Sequence, residues 1–237
     1  MTERSTLRER ARRAVHDSGL QAKVGAGALH LATRRVEAFD ELENYQALRR
    51  RARTVRESTL ARLPELLGLL ADRVEAAGGK VFFASDGDEA CRYVGEVARQ
   101  RGARLVAKSK SMVTEEIELT PALEREGLRV VETDLGEWII QLAGHRPSHI
   151  VCPTMHLDRA DIAGIFSRHL GEEVSSEPPL LTGLARRQLR QVFLTADVGV
   201  SGCNFAVAET GTVCLVTNEG NGRMVTSVPP VHIAIMG

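Results

Sequence analysis

The chain has 237 residues, enough for one large domain or for a domain with a smaller added unit. Its formal net charge is +0, but residues 1–63 carry 14 basic and 8 acidic side chains, so the charge is unevenly distributed. The sequence has no apolar run of about 18 residues and no apolar segment after its first charges, so we expect a cytoplasmic protein without a membrane span or a secretory signal.

Residues 1–78 are predicted to form an α-helical extension. Residues 4–18 are charged and helical in pattern, and apolar side chains recur at three- and four-residue steps within residues 28–58 and 58–77. Arginine-rich helices suit nucleic acid or an acidic partner. Here acidic residues are interleaved with the arginines and aromatic residues make up only 4% of the chain, so we expect no nucleic acid and a solvated or partner-facing arm.

Residues 79–237 are predicted to form an α/β domain. Short apolar runs at residues 81–84, 105–107, 129–132 and 149–152 alternate with helical segments, which is typical of a parallel sheet covered on both faces. A helix over residues 183–195, a hairpin and a last strand over residues 231–236 follow. The predicted fold class is α/β, with a parallel-sheet core and antiparallel additions, preceded by the helical extension.

Polar residues follow these strands at the carboxyl ends, where open α/β sheets bind ligands. The segment Lys108-Ser109-Lys110-Ser111 joins a strand to a helix start and suits a carboxylate or a phosphate, although a solvated loop accounts for it equally well. It lacks the GxxxxGK pattern of a P-loop. Glu132 ends the next strand and is a weaker candidate for facing a ligand, whereas Asp134 is predicted only to cap a helix.

His156 lies beyond the predicted strand at residues 149–152. A histidine there can act as a base or a ligand, although a lone histidine is more often structural. The four cysteines, at positions 91, 152, 203 and 214, show no CxxC spacing. We therefore predict no metal site and expect the cysteines to be small core residues.

The segment from Asn204 to Arg223 is predicted to form a β-hairpin followed by a polar loop. Two apolar runs flank Glu209-Thr210-Gly211-Thr212, and the second leads into Asn218-Glu219-Gly220-Asn221-Gly222-Arg223. Glycines let a backbone approach a ligand closely, and the loop supplies two carboxamides, a carboxylate and a guanidinium. The pattern favours a binding or catalytic segment, with a plain turn as the alternative.

Five segments resemble, in order and spacing, the lactate-utilisation (LUD) domain family. They are SKSMVTEEIEL, VVETDLGEWIIQLAG, SHIVCPTMH, NFAVAETGTVCLVTNEGNGR and PPVHIAIMG, and the resemblance covers about residues 20–237. The NEGNGR segment favours the iron–sulfur member of a three-protein L-lactate oxidation system over the smaller member, which has no cluster.

The resemblance implies a fold akin to that of sugar-phosphate isomerases and CoA transferases. It implies a part in oxidising L-lactate to pyruvate within a multi-subunit iron–sulfur complex, whose other lactate-utilisation subunits would be the partners. It places the [4Fe–4S] clusters in a ferredoxin-like region that follows this domain, so this chain would be the N-terminal part of a longer protein or a shortened homologue. Such a chain would be redox-inert alone, and a homo-oligomer is a further expectation.

The site itself is placed on these motifs by physical inference. The candidate catalytic residues are Glu209, Glu219 and His156, because removal of a hydroxyl proton requires a carboxylate or a histidine within reach. The candidate substrate-binding residues are Lys108, Lys110, Thr210, Asn218, Asn221 and Arg223, of which the three cations would hold the carboxylate of lactate. Two other functions stay open: an enzyme for a sugar phosphate, nucleotide or CoA ester, and a non-catalytic assembly module that docks through its arginine-rich helices.

Overall fold

The computed structural model describes residues 6–217 and 219–237 and begins with four helices. These are α1 (Leu7–His16), α2 (Ser18–Asp40), α3 (Tyr45–Ala61) and α4 (Leu63–Ala76). The helical extension is confirmed, but the predicted helix over residues 28–58 is divided by a turn at residues 41–44. The helix α2 begins earlier than expected because the Asp17 side chain accepts the N–H of Leu20 at 2.9 Å and caps it.

The remainder of the described chain contains seven helices and six strands. The helices are α5 (Gly87–Gln100), α6 (Met112–Glu116), α7 (Leu119–Arg125), α8 (Leu135–Ala143), α9 (Arg159–Leu170), α10 (Pro178–Thr195) and α11 (Asn221–Ser227). The strands are β1 (Leu105–Lys108), β2 (Arg129–Glu132), β3 (Val198–Gly202), β4 (Phe205–Val207), β5 (Thr212–Cys214) and β6 (Val231–Ile235).

The main sheet has the strand order β2-β1-β3-β6, and every pairing in it is parallel. The antiparallel part is the hairpin β4–β5, which forms a separate two-stranded sheet, while β6 joins the main sheet parallel to β3. The predicted α/β class with a parallel-sheet core is therefore confirmed, and its antiparallel addition is this hairpin.

Two apolar clusters cover the two faces of the main sheet. Helices α5 and α7 pack on one face, where Ala98, Val106 and Leu119 are buried. Helices α8 to α11 pack on the other face, around Trp138 and Phe166. Strands buried on both faces consist of continuous small and β-branched apolar residues, which is why the runs at β1 and β2 were recognisable in the sequence.

Two of the predicted strands, at residues 81–84 and 149–152, do not form. Phe82 stacks on Tyr93 of α5, with 4.0 Å between ring centroids, and does not enter the sheet. The ring nitrogen Nδ1 of His149 accepts the backbone N–H groups of Val151 and Cys152 at 3.1 and 3.3 Å. These two N–H groups close a local turn and are therefore not available for hydrogen bonds to a neighbouring strand. An apolar run alone did not determine strand formation.

The strand β3 takes the central place that the sequence did not predict for residues 198–202. A β-carbon on Gly199 would lie 2.1 Å from the carbonyl oxygen of Val225, so glycine allows α11 to pack directly against the strand. The polar loop predicted after the hairpin is shorter than expected, because its residues from Asn221 onward belong to α11.

Candidate functional site

The carboxyl end of β1 lies at the point where the sheet changes direction. The chain passes from β1 to β2 on one side and later returns to place β3 on the other side of β1. The loops that follow β1 and β3 meet there, since a β-carbon on Gly202 would lie 2.8 Å from Oγ of Ser111. Ligands of open α/β sheets bind at such a switch point.

Lys108 is the last residue of β1, and its ammonium group lies inside the protein. Only 1% of the residue is exposed, and Nζ donates to Oε1 of Glu132 at 2.8 Å and to Oε1 of Glu115 at 2.7 Å. Burial alone would lower the pKa of Lys108, but the two carboxylates outweigh that effect and raise it. Lys108 is thus a charged group already held by two anions.

Glu132 is the register partner of Lys108 at the end of β2 and is 6% exposed. Its Oε1 also receives the hydroxyl of Thr120 at 3.4 Å, whereas its buried Oε2 has no hydrogen-bond partner within the described residues. Burial raises the pKa of Glu132 to about 7, even though Lys108 acts in the opposite direction. A buried acceptor without a donor is costly, so this carboxyl group is suited to hold a proton or to accept one from a bound molecule.

The raised pKa of Glu132 predicts how stability depends on pH. The folded protein keeps a proton at Glu132 that the unfolded chain releases near pH 4.5, so this group lowers the free energy of unfolding as the pH rises from 4.5 to about 7. In Glu132→Gln this group no longer titrates, so we expect the free energy of unfolding to fall by about 2 kcal/mol less between pH 5 and pH 8 than in the wild type. Urea unfolding at pH 5 and pH 8 measures it, with the exposed Glu116→Gln as the control. Equal pH dependence in the wild type and Glu132→Gln would contradict the assignment.

Lys110 and Glu219 lie closer to the surface than Lys108 and Glu132, and we call these four residues, together with the residues whose side chains bond to them, the cluster. The Lys110 ammonium lies 3.1 Å from Oε1 of the buried Glu137, and its charge also acts on Glu219. Oε2 of Glu219 accepts the backbone N–H of Leu135 at 3.1 Å, at the first residue of α8, where the helix dipole favours an anion. Although Glu219 keeps a large solvent-exposed surface, partial burial of its carboxyl group raises its pKa, which makes it a stronger base than an unperturbed glutamate.

Asn221 connects the start of α11 to the ends of β1 and β2. Its Nδ2 lies 3.5 Å from Oγ1 of Thr133, whose hydroxyl donates to the carbonyl oxygen of Lys108 at 2.8 Å.

Arg223 is exposed on α11 and forms no ion pair with residues 6–217 or 219–237. Asn218, another predicted substrate-binding residue, lies outside the described residues.

His156 belongs to a different group of side chains. Its Nε2 lies 3.1 Å from Nδ1 of His145, and its Nδ1 bonds to the hydroxyl of Ser148. Burial lowers the pKa of His156, and the neighbouring His145 lowers it further. No hydrogen bond or ion pair between described residues joins it to Lys108, Lys110 or Glu219.

Glu209 and Thr210 lie at the tip of the hairpin, which packs against α4. A β-carbon on Gly211 would lie 2.8 Å from the backbone of Arg73, and Glu209 acts electrostatically on Arg62. The Thr210 hydroxyl lies 2.7 Å from that of Thr212 within the same turn. The structure therefore groups these two residues with the N-terminal helices and leaves Lys110, Glu219, Asn221 and Lys108 as the predicted residues that it brings together.

Several members of the cluster were not identified by motif. The additional residues are Glu115, Glu137, Thr120 and Thr133, and Glu132 was a minor candidate only. One signal was available in the sequence: Lys108 and Glu132 are oppositely charged, each ends an apolar strand, and each follows a buried valine by two positions. The period of two in strands places such residues on one face of adjacent strands.

The four cysteines are distributed over different elements of the structure. Cys91 is buried in α5 and its thiol donates to the carbonyl oxygen of Ile117, whereas Cys152 and Cys203 lie in two different loops and Cys214 ends β5, all three of them only partly buried. Across residues 6–217 and 219–237, no three His, Cys, Asp or Glu side chains are placed to hold a metal ion. Among the helices of those same residues, none combines the length and the apolar character needed to cross a membrane.

Comparison with known proteins identifies the family. The LUD domain model matches residues 67–237. Lactate utilization protein B of Bacillus pumilus (strain SAFR-032) is 46% identical over 232 residues, covering 98% of this chain and 49% of the relative. The protein of the same name from Macrococcus caseolyticus (strain JCSC5402) is 46% identical over 233 residues, with the same two coverages. The chain thus spans about half the length of the curated relatives it matches. No solved structure matches it. The family match covers most of the chain and includes Lys108, Lys110, Glu132, Glu219 and Asn221, so this chain belongs to the LUD domain family.

Proposed function

We propose that this LUD domain takes part in lactate utilisation and binds L-lactate for oxidation to pyruvate within a multi-subunit iron–sulfur complex. The names of its relatives support the lactate role. One observation supports the location: the segment from Glu219 to Arg223 is joined by hydrogen bonds to Thr133, directly after β2, and to Leu135, the first residue of α8. Side chains distant in sequence thus converge at the switch point of the sheet.

Lys110 and Arg223 are the cations best suited to hold the carboxylate of lactate. Among the residues that the structure describes, Lys110 pairs with one carboxylate, that of Glu137, and an ammonium group carries three donors. Arg223 is exposed and offers the planar donor pair that matches a carboxylate. Lys108, in contrast, is already held by two carboxylates and is fully buried, so its role in this proposal is to position Glu132.

Glu219 and Glu132 are the candidate acceptors for the hydroxyl proton of lactate. Burial raises the pKa of both carboxyl groups, which brings their basicity closer to the value that favours proton transfer near neutral pH. Asn221 would orient the bound acid. This chain would supply binding and proton transfer, and the [4Fe–4S] clusters and the other lactate-utilisation subunits would belong to the rest of the complex.

Binding measurements on the full chain test this proposal. Calorimetry with L-lactate, pyruvate, inorganic phosphate and CoA as separate probes should show binding of lactate. We expect Lys110→Met and Arg223→Ala each to weaken the affinity for lactate about tenfold, because each removes one charged contact.

The control is Arg186→Ala, which removes an exposed arginine on α10 and should leave the affinity unchanged. Binding of phosphate or CoA without lactate, weakened by the same two variants, would favour an enzyme for phosphorylated or CoA-linked substrates. Lactate affinity that neither variant alters would contradict this site.

A further inference from the structure

The helix α3 forms no core. It has 17 residues and none of them is buried, and its principal contact is with α4, the next helix along the chain. A helix of this length spans about 25 Å. Most helical stability in proteins comes from packing of an amphipathic face against other elements, so an α3 without buried residues is suited to packing against a further surface.

One side of α3 carries a narrow apolar stripe. Leu48, Ala52, Val55 and Thr59 follow one another at steps of four, three and four residues, which is the spacing of the seam positions of a coiled coil. Leu48 is 43% exposed and Val55 is 57% exposed. The stripe is therefore available to a second helix along its length.

Arginines flank this stripe on both sides. Arg51 lies on one side, and Arg49 and Arg56 lie on the other, in the positions that normally form ion pairs between the two helices of a coiled coil. Arg50 lies on the opposite face, and Arg53 is paired with Glu57 at 2.7 Å. Three of the four positions that flank the seam are thus basic, and Ser58 occupies the fourth.

We propose that α3 is the docking helix for an amphipathic helix of a partner protein whose apolar seam is flanked by glutamate or aspartate. Two copies of α3 would place arginines against arginines, which disfavours pairing of this helix with itself. Nucleic acid phosphates would neutralise the arginines but leave Leu48 and Val55 uncovered. The stripe has a single leucine and no aromatic side chain, whereas helices that bind a lipid surface carry several large apolar residues.

Designed peptides provide the test on the full chain. The probes are two synthetic helices of about four heptads with leucine along the seam, one with glutamate and one with lysine at the flanking positions. We expect the wild type to bind the glutamate peptide at least about tenfold more tightly than the lysine peptide. The combined change Arg49→Glu, Arg51→Glu and Arg56→Glu should reverse this preference, and Val55→Asp should abolish binding of both peptides.

The matched control is Arg50→Glu, which makes the same charge reversal on the face opposite the stripe and should leave the glutamate peptide preferred. Because all of these side chains are exposed, the urea unfolding curve of the α/β body should be unchanged in every variant. Binding of lactate should also be unaffected, which separates this test from that of the substrate site.

Three results would overturn the proposal. One is equal affinity of the wild type for the two peptides. Another is a dimer of the chain in light scattering that Val55→Asp dissociates, since it would make a second copy the occupant. The third is tighter binding to duplex RNA or to anionic lipid vesicles than to the glutamate peptide, with the same dependence on the three arginines.

Discussion

Replacement of Lys108 by methionine is expected to lower the free energy of unfolding by about 3–5 kcal/mol at pH 8. Methionine keeps the length of the side chain but leaves Glu132 as a buried carboxylate without its cation. At pH 6 the cost should be smaller, because Glu132 can then take up a proton and become neutral. Urea unfolding at the two pH values measures both quantities.

The control for this variant is Lys80→Met, which removes an exposed ammonium group and should change stability by less than about 0.5 kcal/mol. A loss of under about 1 kcal/mol for Lys108→Met at pH 8 would show that the ammonium is not part of a buried ion pair. Lactate affinity, corrected for the folded fraction, separates a purely structural Lys108 from one that touches the substrate.

Replacement of Gly199 by alanine is expected to cost about 3 kcal/mol. The added β-carbon would lie 2.1 Å from the Val225 carbonyl oxygen, and a helix backbone cannot move aside as a side chain can. We expect α11 to shift away from the sheet and to carry Asn221 and Arg223 with it. The affinity for lactate should therefore fall together with stability, as measured by calorimetry and urea unfolding.

The control is Gly183→Ala, in the interior of α10. The nearest atom to its added β-carbon is the Arg187 side chain at 3.7 Å, so alanine fits and should increase stability by up to about 1 kcal/mol. If Gly199→Ala proved as stable as the wild type, the close packing of α11 on β3 would be wrong.

The sequence was informative where local patterns and chain position agree. The apolar runs of β1 and β2, each followed by a charged residue and a helix, correctly identified two strands of the sheet and the polar segment after Lys108. The period of two in the hairpin also identified β4 and β5. These signals lie within a few residues of one another, so they do not depend on how the chain folds back.

The errors arose where long-range contacts decide the structure. Residues 81–84 and 149–152 are apolar enough for strands, yet stacking on Tyr93 and the backbone bonds to His149 give them other conformations. Conversely, the glycine-rich sequence of β3 does not resemble that of a typical strand. Gly199 is needed there because α11 packs directly against the backbone of β3. A hydrophobic pattern indicates that a segment tends to be buried, but it does not specify which other segment it packs against or pairs with.

The sequence by itself determined that this protein is an α/β domain of the LUD family with an arginine-rich helical arm, because periodicity and motifs are properties of neighbouring residues. Only the tertiary structure decided which charged groups act together. It pairs Lys108 with Glu115 and Glu132 and brings Lys110, Glu219 and Asn221 to the same carboxyl end of the sheet. It also places Glu209 against the helical arm. The physical reason is that the pairing register and the order of the strands fix which side chains meet, and burial then sets their charge and pKa.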